Sequence, residues 1–222
     1  MGESAGQTLN RLYEAMMRRY GPQSWWPART PFEVIVGAVL VQNTSWTNVA
    51  TAIARLDAAG ALTPAAIHAL PHDRLAELIR PAGYYNVKAR RLANLVAWMV
   101  QAHGGEVERM KAVPPNAMRE QLLDVHGVGP ETADSIMLYA LGHPRFVVDA
   151  YTFRIVVRHG LLSPPVEYEE LQALFEDHLP ADAAVFNEFH ALLVQVGKNH
   201  CKPRARCEGC PLEEFPHDRT AC

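Results

Sequence analysis

Leu122-Leu123-Asp124-Val125-His126-Gly127-Val128-Gly129-Pro130-Glu131-Thr132-Ala133 joins two helix-forming segments, Pro115 to Leu123 and Glu131 to Leu141, through Gly-Val-Gly. So tight a turn needs glycine where φ is positive or where another backbone comes close. It also turns several backbone N–H groups outward beside a helix N-terminus, an arrangement that binds a phosphate oxygen without any lysine. Taken alone, Gly-x-Gly between helices equally describes a plain helical corner. Eighteen residues past Glu131, Val147-Val148-Asp149-Ala150-Tyr151 places a carboxylate after an apolar run and before a helix start. By itself, Asp149 reads as the N-cap of that helix.

Outward from this pair, the chain reads as helical. Thr30-Pro31-Phe32-Glu33 is a capping box with proline at the first helical position, followed by an apolar run from Phe32 to Val41. Thr63-Pro64 repeats the device, and Val49, Ile53 and Leu56 recur at helical spacing. Further helices are expected over Asp73 to Arg80, from Asn86 to a stop at Gly104-Gly105, and over Tyr151 to His159, Glu167 to Leu179 and Ala183 to Gly197. Phe146-Val147-Val148 is too short to make a sheet. An all-α chain of about ten helices follows, with short loops and no repeat or flexible linker.

Of the 222 residues, 49% are apolar and 20% charged, enough burial material to exclude dominant disorder. No apolar run nears the roughly 20 residues of a membrane span. The start, Met1-Gly2-Glu3-Ser4, lacks the basic and apolar regions of a secretion signal, so a cytoplasmic location is expected. A formal net charge of -3, from 21 Lys+Arg and 24 Asp+Glu, argues mildly against a nucleic-acid binder. Basic groups nevertheless concentrate at Lys198, Lys202, Arg204 and Arg206, and again at Arg80, Lys88, Arg90 and Arg91. All four cysteines (Cys201, Cys207, Cys210 and Cys222) fall near the end of the sequence, where a disulfide framework would have spread them. Four thiolates at this spacing can bind zinc or a [4Fe–4S] cluster.

The hairpin, its Gly-Pro loop and Asp149 together resemble the helix-hairpin-helix module of the endonuclease III superfamily of DNA glycosylases. The resemblance continues at Val41-Gln42-Asn43-Thr44, at Gly83-Tyr84-Tyr85-Asn86-Val87-Lys88-Ala89 and in the cysteine loop, spanning roughly residues 10 to 222. It implies a two-lobed fold, with a six-helix barrel lobe over 30–142 that includes the hairpin at about 117–141. Residues 1–29 and 143–222 would make the second lobe, with the cluster loop at 201–222 and a DNA cleft between the lobes.

The resemblance also assigns roles. Gly127, Val128 and Gly129 would grip a DNA phosphate. Gln42 would enter the gap left by a flipped base, and Tyr84, Tyr85 and Lys88 would contact the duplex around it. Asp149 would drive base excision, and Lys198, Lys202 and Arg204 would meet phosphates. The cysteines would hold a [4Fe–4S] cluster rather than zinc. The final gap is longer than in the family, which leaves His217 as an alternative to Cys222. No nucleotide cofactor is implied, and the partner is double-stranded damaged DNA bound by a monomer.

One departure bears on reaction type. Bifunctional family members carry a lysine where this chain has Glu131, and a glutamate cannot form the Schiff base that precedes strand cleavage. A monofunctional enzyme is therefore expected. Ser24-Trp25-Trp26-Pro27 with Trp46 resembles the 3-methyladenine glycosylases of the superfamily, so Trp25, Trp26 and Trp46 are candidates for the base pocket. A cationic alkylated purine suits aromatic walls, by about 0.5 to 2 kcal/mol. Excision of oxidised pyrimidines, mismatch excision and damage binding without excision are the alternatives.

Overall fold

The computed structural model describes residues 4–221. Met1–Glu3, at the expected leader-free start, and the expected ligand Cys222 lie outside them. Among the described residues every regular element is a helix, with no strand. The chain divides into two compact units, one formed by Met1–Trp25 with Pro144–Cys222 and the other by Trp26–His143.

The first unit opens with α1 (Ala5–Tyr20), capped by a reciprocal box between Ser4 and Gln7. Sequence reading gave this segment no helix, although Leu9, Leu12 and Met16 bury one stripe of it. The second unit contains α2 (Pro31–Leu40), α3 (Trp46–Ala58), α4 (Pro64–Ala69), α5 (His72–Leu78), α6 (Tyr85–His103), α7 (Val107–Lys111), α8 (Pro115–Asp124) and α9 (Pro130–Ser135). The first unit then resumes with α10 (Ala150–Arg158), α11 (Tyr168–Glu176) and α12 (Ala183–Asn199).

Caps set the starts as the sequence implies. The hydroxyls of Thr30, Ser45 and Thr63 each accept from a backbone N–H in the first turn of the following helix. α2 is buried on all sides, as its uninterrupted apolar sequence requires, and packs against α3, α6 and α9. α9 does not run on regularly to Leu141. It passes into a π-helical turn at Ile136–Ala140, and Gly142, at φ 73°, ends it. Such a turn rotates the side chains beyond it out of α-helical register, and Tyr139 lies in it.

In the first unit, Phe146 stacks on Phe175 with centroids 3.9 Å apart, and Phe186 and Phe189 meet Phe146 edge-on. Phe146-Val147-Val148 is extended yet pairs with no strand. Side chains one turn apart on α11 replace the missing ladder. Glu176 accepts from the Phe146 N–H at 2.8 Å, Gln172 donates to the Phe146 carbonyl at 2.6 Å, and the Tyr168 hydroxyl accepts from the Val148 N–H at 3.4 Å. A buried extended segment thus has its backbone groups satisfied by a helix face. It delivers the chain to Asp149 at the start of α10.

Candidate active site

Asp149 caps α10 through a single oxygen. Its Oδ1 accepts from the Tyr151 N–H at 2.9 Å, the Thr152 N–H at 2.8 Å and the Thr152 hydroxyl at 3.0 Å. Its Oδ2 stands 3.7 Å from His190 Nε2, beyond hydrogen-bond range. The cap therefore engages one oxygen of the carboxylate and leaves the second to face His190. His190 is fully buried on α12, and burial pushes its imidazole pKa down against the opposing pull of Asp149. α10 and α12 approach closely because Gly197 has no side chain: a Cβ there would overlap Tyr151. Sequence reading missed His190 because a histidine between Phe186, Phe189 and Leu193 looks like core.

In the second unit, the hairpin turn holds Gly127 at φ 100°, and a Cβ there would reach 2.5 Å from Cγ of Arg91. The positive φ calls for glycine, and what fills the place of a Cβ is the Arg91 side chain, not another backbone. Asn94 of α6 donates to the His126 carbonyl at 3.0 Å, fastening the turn to α6. Val128 stands apart from the glycines. Its side chain is buried and its N–H donates to the Val125 carbonyl at 3.0 Å, so the turn itself consumes that amide. Gly129 is exposed, at the N-cap of α9. Beneath the turn, Arg119 of α8 and Asp134 of α9 form a two-point ion pair, Nε–Oδ1 at 2.7 Å and Nη2–Oδ2 at 3.1 Å, with Asp134 wholly buried.

Gln42 and Glu131 meet. Gln42 Nε2 donates to Glu131 Oε1 at 3.3 Å and lies 3.4 Å from the Thr132 hydroxyl. The carboxylate of Glu131 thus holds the amide of the residue expected to fill the gap. A carboxylate only accepts, so the amide must turn its NH2 towards position 131. Asn43 beside it sits at φ 55° and Tyr84 at φ 45°, both in the left-handed region that non-glycine residues seldom adopt. Tyr84 is 73% exposed, whereas Tyr85 is half-buried beneath the Arg80 guanidinium, 5.7 Å from the ring centre.

Lys88 departs from expectation. It is 3% exposed, and its ammonium donates to the carbonyls of Leu40 at 2.9 Å and Ala82 at 2.8 Å. Its place in the first turn of α6 turns it inward, so it belongs to the interior and not to a phosphate-facing surface.

The aromatic candidates separate. Trp26 packs onto Gly37 of α2, edge-to-face with Trp46 at 5.1 Å and tilted against Tyr139 at 5.1 Å. Tyr139 was not foreseen, because its direction depends on the π-helical turn. Trp25 belongs to the other unit, where Asn187 of α12 donates to its carbonyl at 2.8 Å and the Lys198 ammonium lies 5.4 Å from its ring centre.

Cys201, Cys207 and Cys210 line one largely apolar cavity with Ile155, Val196, Leu212 and His217. Burial pushes the Cys210 thiol up to about 11. The Arg158 guanidinium, itself buried, donates to Cys201 Sγ at 3.3 Å and to the carbonyls of Lys202, Pro203 and Ala221. Thiols around an apolar cavity with a cation on one sulfur fit a thiolate-bound cluster. Among the described residues, no three of His, Cys, Asp and Glu converge on one ion. Lys202 is half-buried, and Lys198 and Arg204 are exposed.

Residues 36–181 match the family described as HhH-GPD superfamily base excision DNA repair protein. A Methanocaldococcus jannaschii protein with the provisional name DNA repair glycosylase MJ1434 is 44% identical over 216 residues, covering 97% of this chain and 98% of that protein. The crystal structure of the H. pylori 3-methyladenine DNA glycosylase MagIII bound to 1,N6-ethenoadenine matches with a TM-score of 0.73 at 30% identity, over 88% of this chain and 98% of that one. A non-covalent endonuclease III–DNA complex matches with a TM-score of 0.81 at 25% identity, over 96% of each chain.

Proposed function

The chain belongs to the HhH-GPD superfamily and is a base excision repair DNA glycosylase of that family, and from this premise we propose a monofunctional enzyme that removes alkylated purines by hydrolysis. The observation that carries this reading is the carboxylate of Glu131 bonded to Gln42 where a lyase would present an amine. With no amine to attack C1′, water must be the nucleophile.

Extrusion of the damaged nucleotide costs a few kcal/mol, which Gln42 and Tyr84 offset by occupying the vacated stack. Gly127 and Gly129 offer backbone amides to a phosphate without adding to the charge count. The glycosidic bond then loosens towards an oxocarbenium ion. Asp149 Oδ2, left over from the cap, stabilises the positive charge and orients or deprotonates water. Burial of His190 beside it disfavours a competing cation there. Trp26, Trp46 and Tyr139 provide the aromatic surface against which a cationic base is held.

A [4Fe–4S] cluster on Cys201, Cys207, Cys210 and Cys222 would fix the loop that carries Lys202 and Arg204, and it supplies no chemistry at the base. Purified protein is expected to be brown, with about four irons per chain. Stoichiometric zinc without iron would overturn this assignment.

One observation favours a second substrate class. That class is the oxidised pyrimidines, and the observation is that an endonuclease III–DNA complex matches this chain over more of its length than MagIII does. A duplex panel of alkylated purines, oxidised pyrimidines and mispairs, assayed with and without alkali, separates the readings. Nicking is expected only after alkali, and borohydride should trap no covalent complex. A trapped complex that survives Glu131→Ala would sink monofunctionality. Release of oxidised pyrimidines alone would transfer the substrate to the second class.

A further inference from the structure

Lys88 has no part in the reaction as described, yet it is one of few buried charges in the second unit. Its two acceptors are not arbitrary carbonyls. Leu40 is the last residue of α2 and stands two positions before Gln42. Ala82 ends the short 3-10 turn Arg80–Ala82 and stands two positions before Tyr84. Both carbonyls lie at helical C-terminal ends, where partial negative charge collects and an ammonium is favoured. Just beyond each, the backbone enters the left-handed region at Asn43 and Tyr84. Such positions persist only where surrounding contacts over-determine them. Tyr84 and Val87 are the exposed large apolar residues among those described, so the loop gains nothing for folding by projecting them.

Stability alone accounts poorly for a lysine here. Burial and the nearby Arg91 both oppose its charge and lower its pKa. A methionine of similar size would bury at lower cost, but it could not join two carbonyls. We propose that Lys88 is a positioning residue whose ammonium ties the Gln42 segment to the Tyr84 loop, so that the two enter the duplex as one rigid element. This rests on the reading that those two segments occupy the stack at the extruded base.

The test is a double-mutant cycle on Gln42→Ala and Tyr84→Ala, run in the natural chain and with Lys88→Met. The readout is affinity for a duplex carrying a tetrahydrofuran abasic analogue, compared with the undamaged duplex. In the natural chain the two truncations should be non-additive by about fivefold, as expected of groups that act together. With Lys88→Met the coupling should vanish. Affinity for the abasic duplex should fall while affinity for the undamaged duplex stays unchanged. Equal weakening on both duplexes, or coupling that persists without the ammonium, would overturn the proposal. If neither truncation affects the abasic duplex in the natural chain, the reading beneath it fails and the proposal falls with it. If Lys88→Met yields no folded protein, Lys88→Gln replaces it. Its amide can reach one carbonyl but not both, so the coupling should still be lost.

Discussion

Asp149→Asn is expected to slow base release by about 10²- to 10⁴-fold in single turnover while leaving affinity for an abasic-analogue duplex intact. The separation of the two carboxylate oxygens makes this a clean experiment. Asparagine keeps an oxygen that can accept from Tyr151 and Thr152, and it is as good an N-cap as aspartate. What it loses is negative charge and basicity at the second oxygen. The melting temperature should therefore scarcely move. A rate within about tenfold of the natural enzyme would remove Asp149 from the chemistry. A collapse in stability would show that the cap alone had been damaged.

Asp134→Ala should be the most destabilising change in the hairpin. Asp134 is wholly buried and pairs at two points with Arg119, whose side chain is only 13% exposed. Removing the acid deprives a largely buried guanidinium of its two-point partner. Breaking one side of such a pair costs about 3–5 kcal/mol. For a chain of this length, that corresponds to a fall in melting temperature of roughly 6–20 °C. Replacing both partners, as Arg119→Met with Asp134→Leu, should recover most of the loss, since two apolar side chains avoid the stranded charge. A single substitution that melts within about 1 kcal/mol of the natural protein would show that the pair is idle.

The sequence made the local features legible. Thr30-Pro31 and Thr63-Pro64 mark helix starts because a hydroxyl cap and a fixed proline φ act within one turn. The glycines of the hairpin are readable for the same reason, as is the carboxylate that caps α10. Features that depend on distant partners were not readable. Lys88 looked like a surface cation in a basic stretch, and only the positions of Leu40 and Ala82 show where its ammonium goes. His190 becomes notable only once Gly197 admits Tyr151 and α10 draws near. Tyr139 needed the π-helical turn, which no simple periodicity announces. Composition concealed the proposed phosphate site as well, because backbone amides carry no formal charge.

The helix face that holds Phe146 and Val148 also limits how this gene can change. Gln172 and Glu176 grip Phe146 and Tyr168 grips Val148, like teeth engaging a rack. Successive side chains of an extended segment alternate sides. Insertion or deletion of one residue between His143 and Asp149 would either disengage the teeth or send the carboxylate to the opposite side. Length variation at this join should therefore be selected against even where every substitution is conservative. The surface turn from Gly160 to Val166, which makes no such engagement, is where insertions can accumulate.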